Sequence, residues 1–357
     1  MDLSNLEKLL EGEPKYRIKQ AREAVFKKNI SDWNEATFFS LELREKLNKE
    51  CPLSIKTDVL VSKEKTAFAK ASSVKARITL KDGLMVETVL MRHKDSRNTV
   101  CVSCQVGCPL GCLFCATGKM GFKRNLDYFE ILEQVIFFNR YLRPENQHVT
   151  NVTFMGMGEP FLNYDNVLKT IRVLNDKDGF GIGARSISVS TAGIVEGIEK
   201  LIKEGLSSGA GSRVAGQLNL AISLHAPNNK LRSELMPISK RYSLETVLKS
   251  VDDYIKITKR KVMFEYVLIK DVNDSDDCAR ELAKLMNKKL YFVNLILYNP
   301  PSFAAFSAGK AVNFKASTTQ QVESFKAILK KEGINFVQRY RFGDDIQAAC
   351  GQFATSK

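Results

Sequence analysis

Histidine is scarce in this chain, three residues among 357. That scarcity argues against zinc sites assembled from His pairs. Long apolar runs are lacking too: none approaches the ~18 residues that a bilayer-spanning helix needs. Met1-Asp2-Leu3-Ser4 is not a basic segment leading into an apolar one, so no signal peptide is expected. Both absences point to a cytoplasmic protein with no membrane partner. Acidic residues are the minority charge, 40 against 54 Lys and Arg, giving +14. A surplus of that size suits a polyanionic partner, through phosphate neutralisation and electrostatic steering. No internal repeat occurs, which argues against a solenoid.

Apolar and aromatic residues make up 44% of the chain, enough for one large domain and a smaller appendage. Residues 1–50 read as a basic helical accessory domain. Pro14 can open a helix, and Ile18, Ala21 and Val25 share one face with basic residues around it. Residues 51–95 read as a β-hairpin linker, Ala76 to Leu80 and Leu84 to Met91 about the turn Lys81-Asp82-Gly83. Residues 96–342 alternate strand and helix patterns. The strands are Thr99 to Ser103, Val149 to Met155, Ser186 to Thr191, Leu218 to Leu224, Val262 to Leu268 and Tyr291 to Leu297. Amphipathic helices lie between them, the first capped by Asp127 and Glu130. The fold class expected is α/β, a partial (βα)6 barrel with sites at the carboxyl ends of its strands. The Gly- and Ser-rich stretch Ser207 to Gln217 reads as a mobile excursion. A helix at Thr318 to Lys331 and a strand at Phe336 to Tyr340 precede a tail, residues 343–357.

Eight cysteines in a reducing compartment suggest metal or catalysis, not a disulfide framework. Cys108, Cys112 and Cys115 form a C-x3-C-x2-C loop just after the first core strand. Three thiolates on so short a loop can hold three irons of a [4Fe–4S] cluster, leaving the fourth iron open. Structural zinc would want two separated ligand pairs, and no second pair follows. Cys51 and Cys278 read as structural. Cys104 should face neither Cys101 nor the cluster.

This spacing, with an aromatic residue before the last cysteine and a six-fold strand–helix pattern behind it, resembles the radical S-adenosylmethionine superfamily. Further stretches sharpen the likeness. They include Cys101-Val-Ser-Cys-Gln-Val-Gly-Cys108, Met155-Gly-Met-Gly-Glu-Pro160, Ile222-Ser-Leu-His-Ala-Pro227, Tyr298-Asn-Pro300 and Asp344-Asp-Ile-Gln-Ala-Ala-Cys-Gly-Gln352. In this order they resemble the adenine-C2 RNA methyltransferases of the RlmN type, over nearly the whole chain. The implied partners are 23S rRNA at the peptidyl-transferase centre, tRNA beside the anticodon, and an electron donor such as flavodoxin or ferredoxin. The implied state is a monomer.

The same resemblance assigns roles. Cys108, Cys112 and Cys115 hold the cluster. Two molecules of S-adenosylmethionine are used per turnover. Cys350 takes a methyl from the first, the second supplies a radical that removes a hydrogen from that S-methyl group, and the carbon adds to C2. Cys101 then releases the product by forming a disulfide with Cys350. Glu87 accepts the C2 proton. Gly158, Glu159, Ser190, Ser223, Leu224, His225 and Asn299 bind S-adenosylmethionine. The alternative is the Cfr-type relative, which methylates adenine C8 of 23S rRNA with the same cysteines. Pro160 and Phe264-Glu-Tyr266 favour C2.

Overall fold

The computed structural model describes residues 4–63, 73–206, 212–300 and 314–354. Three helices lead: α1 (Ser4–Leu9), α2 (Lys15–Phe26) and α3 (Leu41–Glu50). Pro14 is the residue before α2, where its missing N–H costs nothing. These helices bury their own cluster, including Leu10, Val25, Trp33, Leu47 and Cys51, and Ile136 of the barrel joins it. The Trp33 indole N–H donates to Cys51 O at 2.8 Å. Not all the basic residues of α2 point to solvent. Arg17 donates to Phe38 O at 2.7 Å, Lys19 pairs with Asp178, and Arg22 with Asp176. Lys15, Lys27 and Lys28 remain exposed.

One sheet of ten strands forms the body. Strands β1 (Thr57–Val61), β2 (Ser73–Thr79) and β3 (Met85–Arg92) pair antiparallel, and β3 continues antiparallel onto β4 (Asn98–Cys101). The hairpin turns where its Asp-Gly signal lies, with Thr79 opposite Met85. Its strands extend the main sheet rather than standing apart as a linker.

A small hairpin, β5 (Gln105–Gly107) with β6 (Phe122–Asn125), follows β4 and brackets α4 (Ala116–Lys119). From β4 the sheet runs parallel through β7 (Asn151–Phe154), β8 (Ile187–Thr191), β9 (Asn219–Ser223), β10 (Val262–Leu268) and β11 (Tyr291–Leu297). A seventh parallel strand, β12 (Phe336–Gln338), lies on β11. Crossovers carry α5 (Tyr128–Leu142), α6 (Tyr164–Asn175), α7 (Val195–Leu206), α8 (Ser212–Ala215), α9 (Asn229–Leu235), α10 (Leu244–Thr258), α11 (Asp276–Met286) and α12 (Thr319–Lys331). Strand order follows chain order, and among the described residues β1 and β12 do not pair with each other, so the barrel is partial. The Asp127–Glu130 capping box is formed. Of the expected excursion Ser207 to Gln217, residues 207–211 fall outside the described set and α8 occupies part of the rest.

The carboxyl ends of β8 and β9 are tied by a single buried side chain. Arg232 of α9 donates to Ala192 O at 2.7 Å, Ser223 O at 3.1 Å, Leu224 O at 3.2 Å and Ser239 Oγ at 2.9 Å. Charged donors to carbonyls contribute more than neutral ones, and each carbonyl left bare inside the protein costs its desolvation. Arg232→Met should therefore lower stability by about 3 kcal/mol or more, read as a shift in the urea midpoint; an unchanged midpoint would refute the tie.

Candidate active site

The hairpin β5–β6 holds the cysteine loop at its base. Cys108 N donates to Gly121 O at 3.1 Å. Gly107 sits at φ +75, and a Cβ there would stand 1.8 Å from Gly121 O, so only glycine allows the strands to close. Farther along, Leu113 N donates to Leu235 O at 3.0 Å, and α4 begins directly after Cys115. The loop is thus fixed at both ends and in the middle.

Cys108, Cys112 and Cys115 line a cavity at the carboxyl ends of the parallel strands, about 910 Å³ counting its open mouth. Gly158, Glu159, Ser190, Ser223 and His225 line the same space, and so does Cys350 from the C-terminal tail. The structure therefore gathers most residues expected there. Leu224 is packed in the core instead. Asn299 donates to Cys350 O at 3.5 Å and lines a neighbouring hollow.

Burial dominates the electrostatics. It pushes the Cys108 thiol up to about 12 and the Cys112 thiol well above its ordinary value. Only a bound cation would make them thiolates. Among the described residues, no three His, Cys, Asp or Glu side chains converge on a single ion. Three thiols sharing one wall fit a multi-iron cluster, whose ligands go to different irons. Burial also lowers His225 to about 3, with Arg232 adding to the effect. Val267 N donates to His225 Nδ1 at 3.1 Å, so the ring is neutral with its proton on Nε2. That removes it as a base or a cationic group.

Glu159 is held by two backbone donors, Phe161 N at 3.0 Å and Ala192 N at 2.7 Å, yet burial still raises it to about 7. A ligand ammonium would supply the charge it lacks. Gly158 sits at φ +102, and a Cβ there would meet Gln105 Cβ at 2.6 Å. The expected close approach is therefore of the protein's own chain.

A smaller hollow brings Cys101 and Cys350 together, with Met155, Phe353 and Arg339 around them. Burial raises the Cys101 thiol to about 12, and Cys350 beside it adds to the rise. Cys104 lies in the core between β4 and β5, outside these cavities and not on a strand as expected.

The tail itself is pinned on both sides of Cys350. Ahead of it, Lys75 Nζ donates to Gln347 O at 3.0 Å. Behind it, Ala354 N donates to Glu87 Oε2 at 3.0 Å, and Lys75 and Glu87 form a buried ion pair at 2.8 Å. Ala116 N donates to Gly351 O at 2.8 Å, and Thr117 Oγ1 to Phe353 O at 2.7 Å. A carboxylate on a strand is usually solvated; Glu87 is fully buried, touching the tail rather than the large cavity.

Sequence reasoning passed over Lys75, Arg339 and the Glu265–Asn294 pair. Asn294 Nδ2 donates to both Glu265 oxygens, at 3.1 and 2.8 Å, and Glu265 and Arg339 line the large cavity. Phe264-Glu-Tyr266 held the signal for Glu265, but only as a likeness.

The Radical SAM superfamily matches residues 102–283. A crystal structure of a radical SAM methyltransferase from Sphaerobacter thermophilus superposes with a TM-score of 0.86 at 39% identity, covering 99% of this chain and 97% of that one. A probable dual-specificity RNA methyltransferase RlmN from Dictyoglomus turgidum is 41% identical over 96% of this chain and 91% of its own. The ribosomal RNA large subunit methyltransferase N of Nitrosopumilus maritimus is 41% identical over 96% of this chain and 93% of its own. The radical SAM class follows from the fold and the superfamily match, and within it the chain belongs to the RlmN family of RNA methyltransferases. Membership implies a [4Fe–4S] cluster and S-adenosylmethionine, and the thiol wall and the Glu159 site fit both. No helix among the described residues is long and apolar enough to cross a membrane.

Two outcomes follow. Alanine at any of Cys108, Cys112 or Cys115 should cut bound iron from about four per chain to below one after anaerobic loading, measured by iron assay; full iron in any single variant would remove that cysteine from the ligand set. The Glu159 carboxyl keeps its proton up to about 7 in the folded chain against its ordinary 4.5. The folded state thus binds more protons in that window, so ligand-free stability should fall as pH rises through it. Melting midpoints across that range should flatten in Glu159→Gln, and an identical slope would refute the assignment.

Proposed function

We propose that this enzyme methylates C2 of an adenosine in 23S rRNA near the peptidyl-transferase centre, and in tRNA next to the anticodon. The placement of Cys350 carries the reading. The tail delivers its thiol both to the cavity walled by Cys108, Cys112 and Cys115 and to the hollow holding Cys101. The relatives' names add RNA as substrate and dual specificity.

Adenine C2 is electron-poor, and so is the methyl of S-adenosylmethionine; direct transfer would join two electrophiles. A thiol removes the conflict. Cys350 accepts the methyl by displacement, releasing S-adenosylhomocysteine. When bound, the cluster and a second S-adenosylmethionine supply the radical that takes a hydrogen atom from that methyl. The carbon held on Cys350 then joins C2. Once C2 has lost its proton, the odd electron would return to the bound cluster; the Cys101 sulfur then attacks the Cys350 sulfur and breaks its bond to the carbon, the Cys101 proton passes to that carbon, and a disulfide and the methylated base are left. Glu87 takes the C2 proton: its Oε1 faces Arg77 at 3.5 Å and has no hydrogen bond among the described residues.

Glu159 and Gly158 would hold the amino-acid end of S-adenosylmethionine, and Ser190, Ser223, His225 and Asn299 its nucleoside side, with Leu224 packed behind them in the core. Residues 1–50 serve as the RNA-gripping domain, with 51–95 leading into the core of 96–342 and 343–357 as the carrier tail. A flavodoxin or ferredoxin supplies electrons. The enzyme works as a cytoplasmic monomer.

The test is anaerobic reconstitution with reductant, S-adenosylmethionine and unmodified 23S rRNA, followed by nucleoside mass spectrometry. Wild type should yield 2-methyladenosine and Cys350→Ala none. 8-Methyladenosine would assign the Cfr-type reaction instead. Product from Cys350→Ala would overturn the relay.

A further inference from the structure

Cys350 borders three spaces: the large cavity with the three loop cysteines, the hollow of Cys101, and a further hollow of about 390 Å³ counting its mouth, which contains none of the loop cysteines and shares Arg339 and Cys350 with the other two. The chain leaving β12 builds its wall with an alternating segment, Arg339-Tyr340-Arg341-Phe342. Guanidinium groups interleaved with aromatic rings are the chemistry of single-stranded nucleic acid binding.

The segment is braced rather than loose. Phe342 packs edge-on to His93 at 5.1 Å and to Tyr340 at 4.9 Å. Arg341 donates to Asp344 Oδ2 at 3.0 Å and to Tyr298 O at 3.4 Å. Two of its members are not used up by the fold. Tyr340 is 58% exposed, a large ring presented to solvent on a rigid backing. Arg339 is half-buried, and among the described residues its side chain makes one weak hydrogen bond, to Met155 Sδ at 3.4 Å. A guanidinium carries five donors. Cys350, then Glu265 and Cys101, favour its charged form, but none of them forms a salt bridge with it.

We propose that this hollow is an RNA nucleotide subsite, in which Tyr340 stacks on a base and Arg339 donates to a backbone phosphate of the same strand. This rests on the reading of Cys350 as methyl carrier: an adenine reaching Cys350 has to be splayed from its stack, and the strand around it needs a platform. Stacking on Tyr340 replaces the neighbour the base has lost. The Arg339 fork matches phosphate geometry, and its place among the three spaces sets that phosphate beside the reacting sulfur. Arg341 is held by Asp344 and keeps the wall in shape.

The test is binding of the cluster-loaded enzyme to a fluorescent RNA hairpin with an unpaired adenosine, across a salt series. Tyr340→Leu keeps the bulk without the π face and should weaken binding about tenfold, with Tyr340→Phe restoring it. Arg339→Gln should weaken binding and lower the salt slope by about one. Melting midpoints confirm folding of each variant. Tyr340→Leu binding within about twofold of wild type overturns the stacking platform, and an unchanged slope in Arg339→Gln overturns the phosphate contact. If wild type itself ignores this RNA, the reading beneath falls first; if wild type binds and the variants match it, only the subsite falls.

Discussion

A short tail that carries Cys350 lies across the open end of the barrel, and a buried ion pair helps to pin it on both sides of that cysteine. Lys75 and Glu87 lie on neighbouring antiparallel strands. Together they bind Gln347 O and Ala354 N, one on each side of Cys350. Burial works against the Lys75 charge, and Glu87 opposes that effect. Such a pair gives little net stability over an apolar isostere, but losing one partner strands the other in the core. Its value here is geometric. Cys350 lines both the cavity of the three loop cysteines and the hollow of Cys101, and a side chain shared by two spaces is placed by what holds the backbone on either side of it. The antiparallel strands thus belong to the working part of the molecule.

Desolvation sets the state of the cavity before anything binds. It raises the thiols of Cys101, Cys108 and Cys112 and the carboxyl of Glu159, and lowers the imidazole of His225. Each favours its neutral form. Arg339 is the exception, held charged at the junction of the cavities. A ligand that brings charge, an iron centre or an ammonium group, is therefore matched by groups ready to ionise against it.

Much of the architecture was legible because the signals are local. Among the six core strands β10 and β11 are the long, mostly apolar runs that strands covered on both faces should be. Both coincide with the expected ranges to the residue. The Asp127–Glu130 cap and the Asp-Gly turn are decided within a few residues. The strand β1 and the hairpin β5–β6 were not legible. They stand outside the alternation of strand and helix that marks the core, and their pairing depends on what a neighbouring strand offers.

The sequence by itself determined the chemistry that adjacency encodes. The C-x3-C-x2-C spacing marks a cluster loop and the strand ends mark a cavity; the stretch around Cys350 speaks only through its likeness to the family. The separation of Cys101 from Cys350 by more than half the chain carries no such signal. Tertiary structure alone decided that they share a hollow, that Glu87 is buried against Lys75 and the tail rather than solvated, that Arg17 serves the fold, and that Arg339 stands free among three cavities. The physical reason is common to all four. Burial and partnership are properties of what packs against a side chain, and those partners arrive from distant strands.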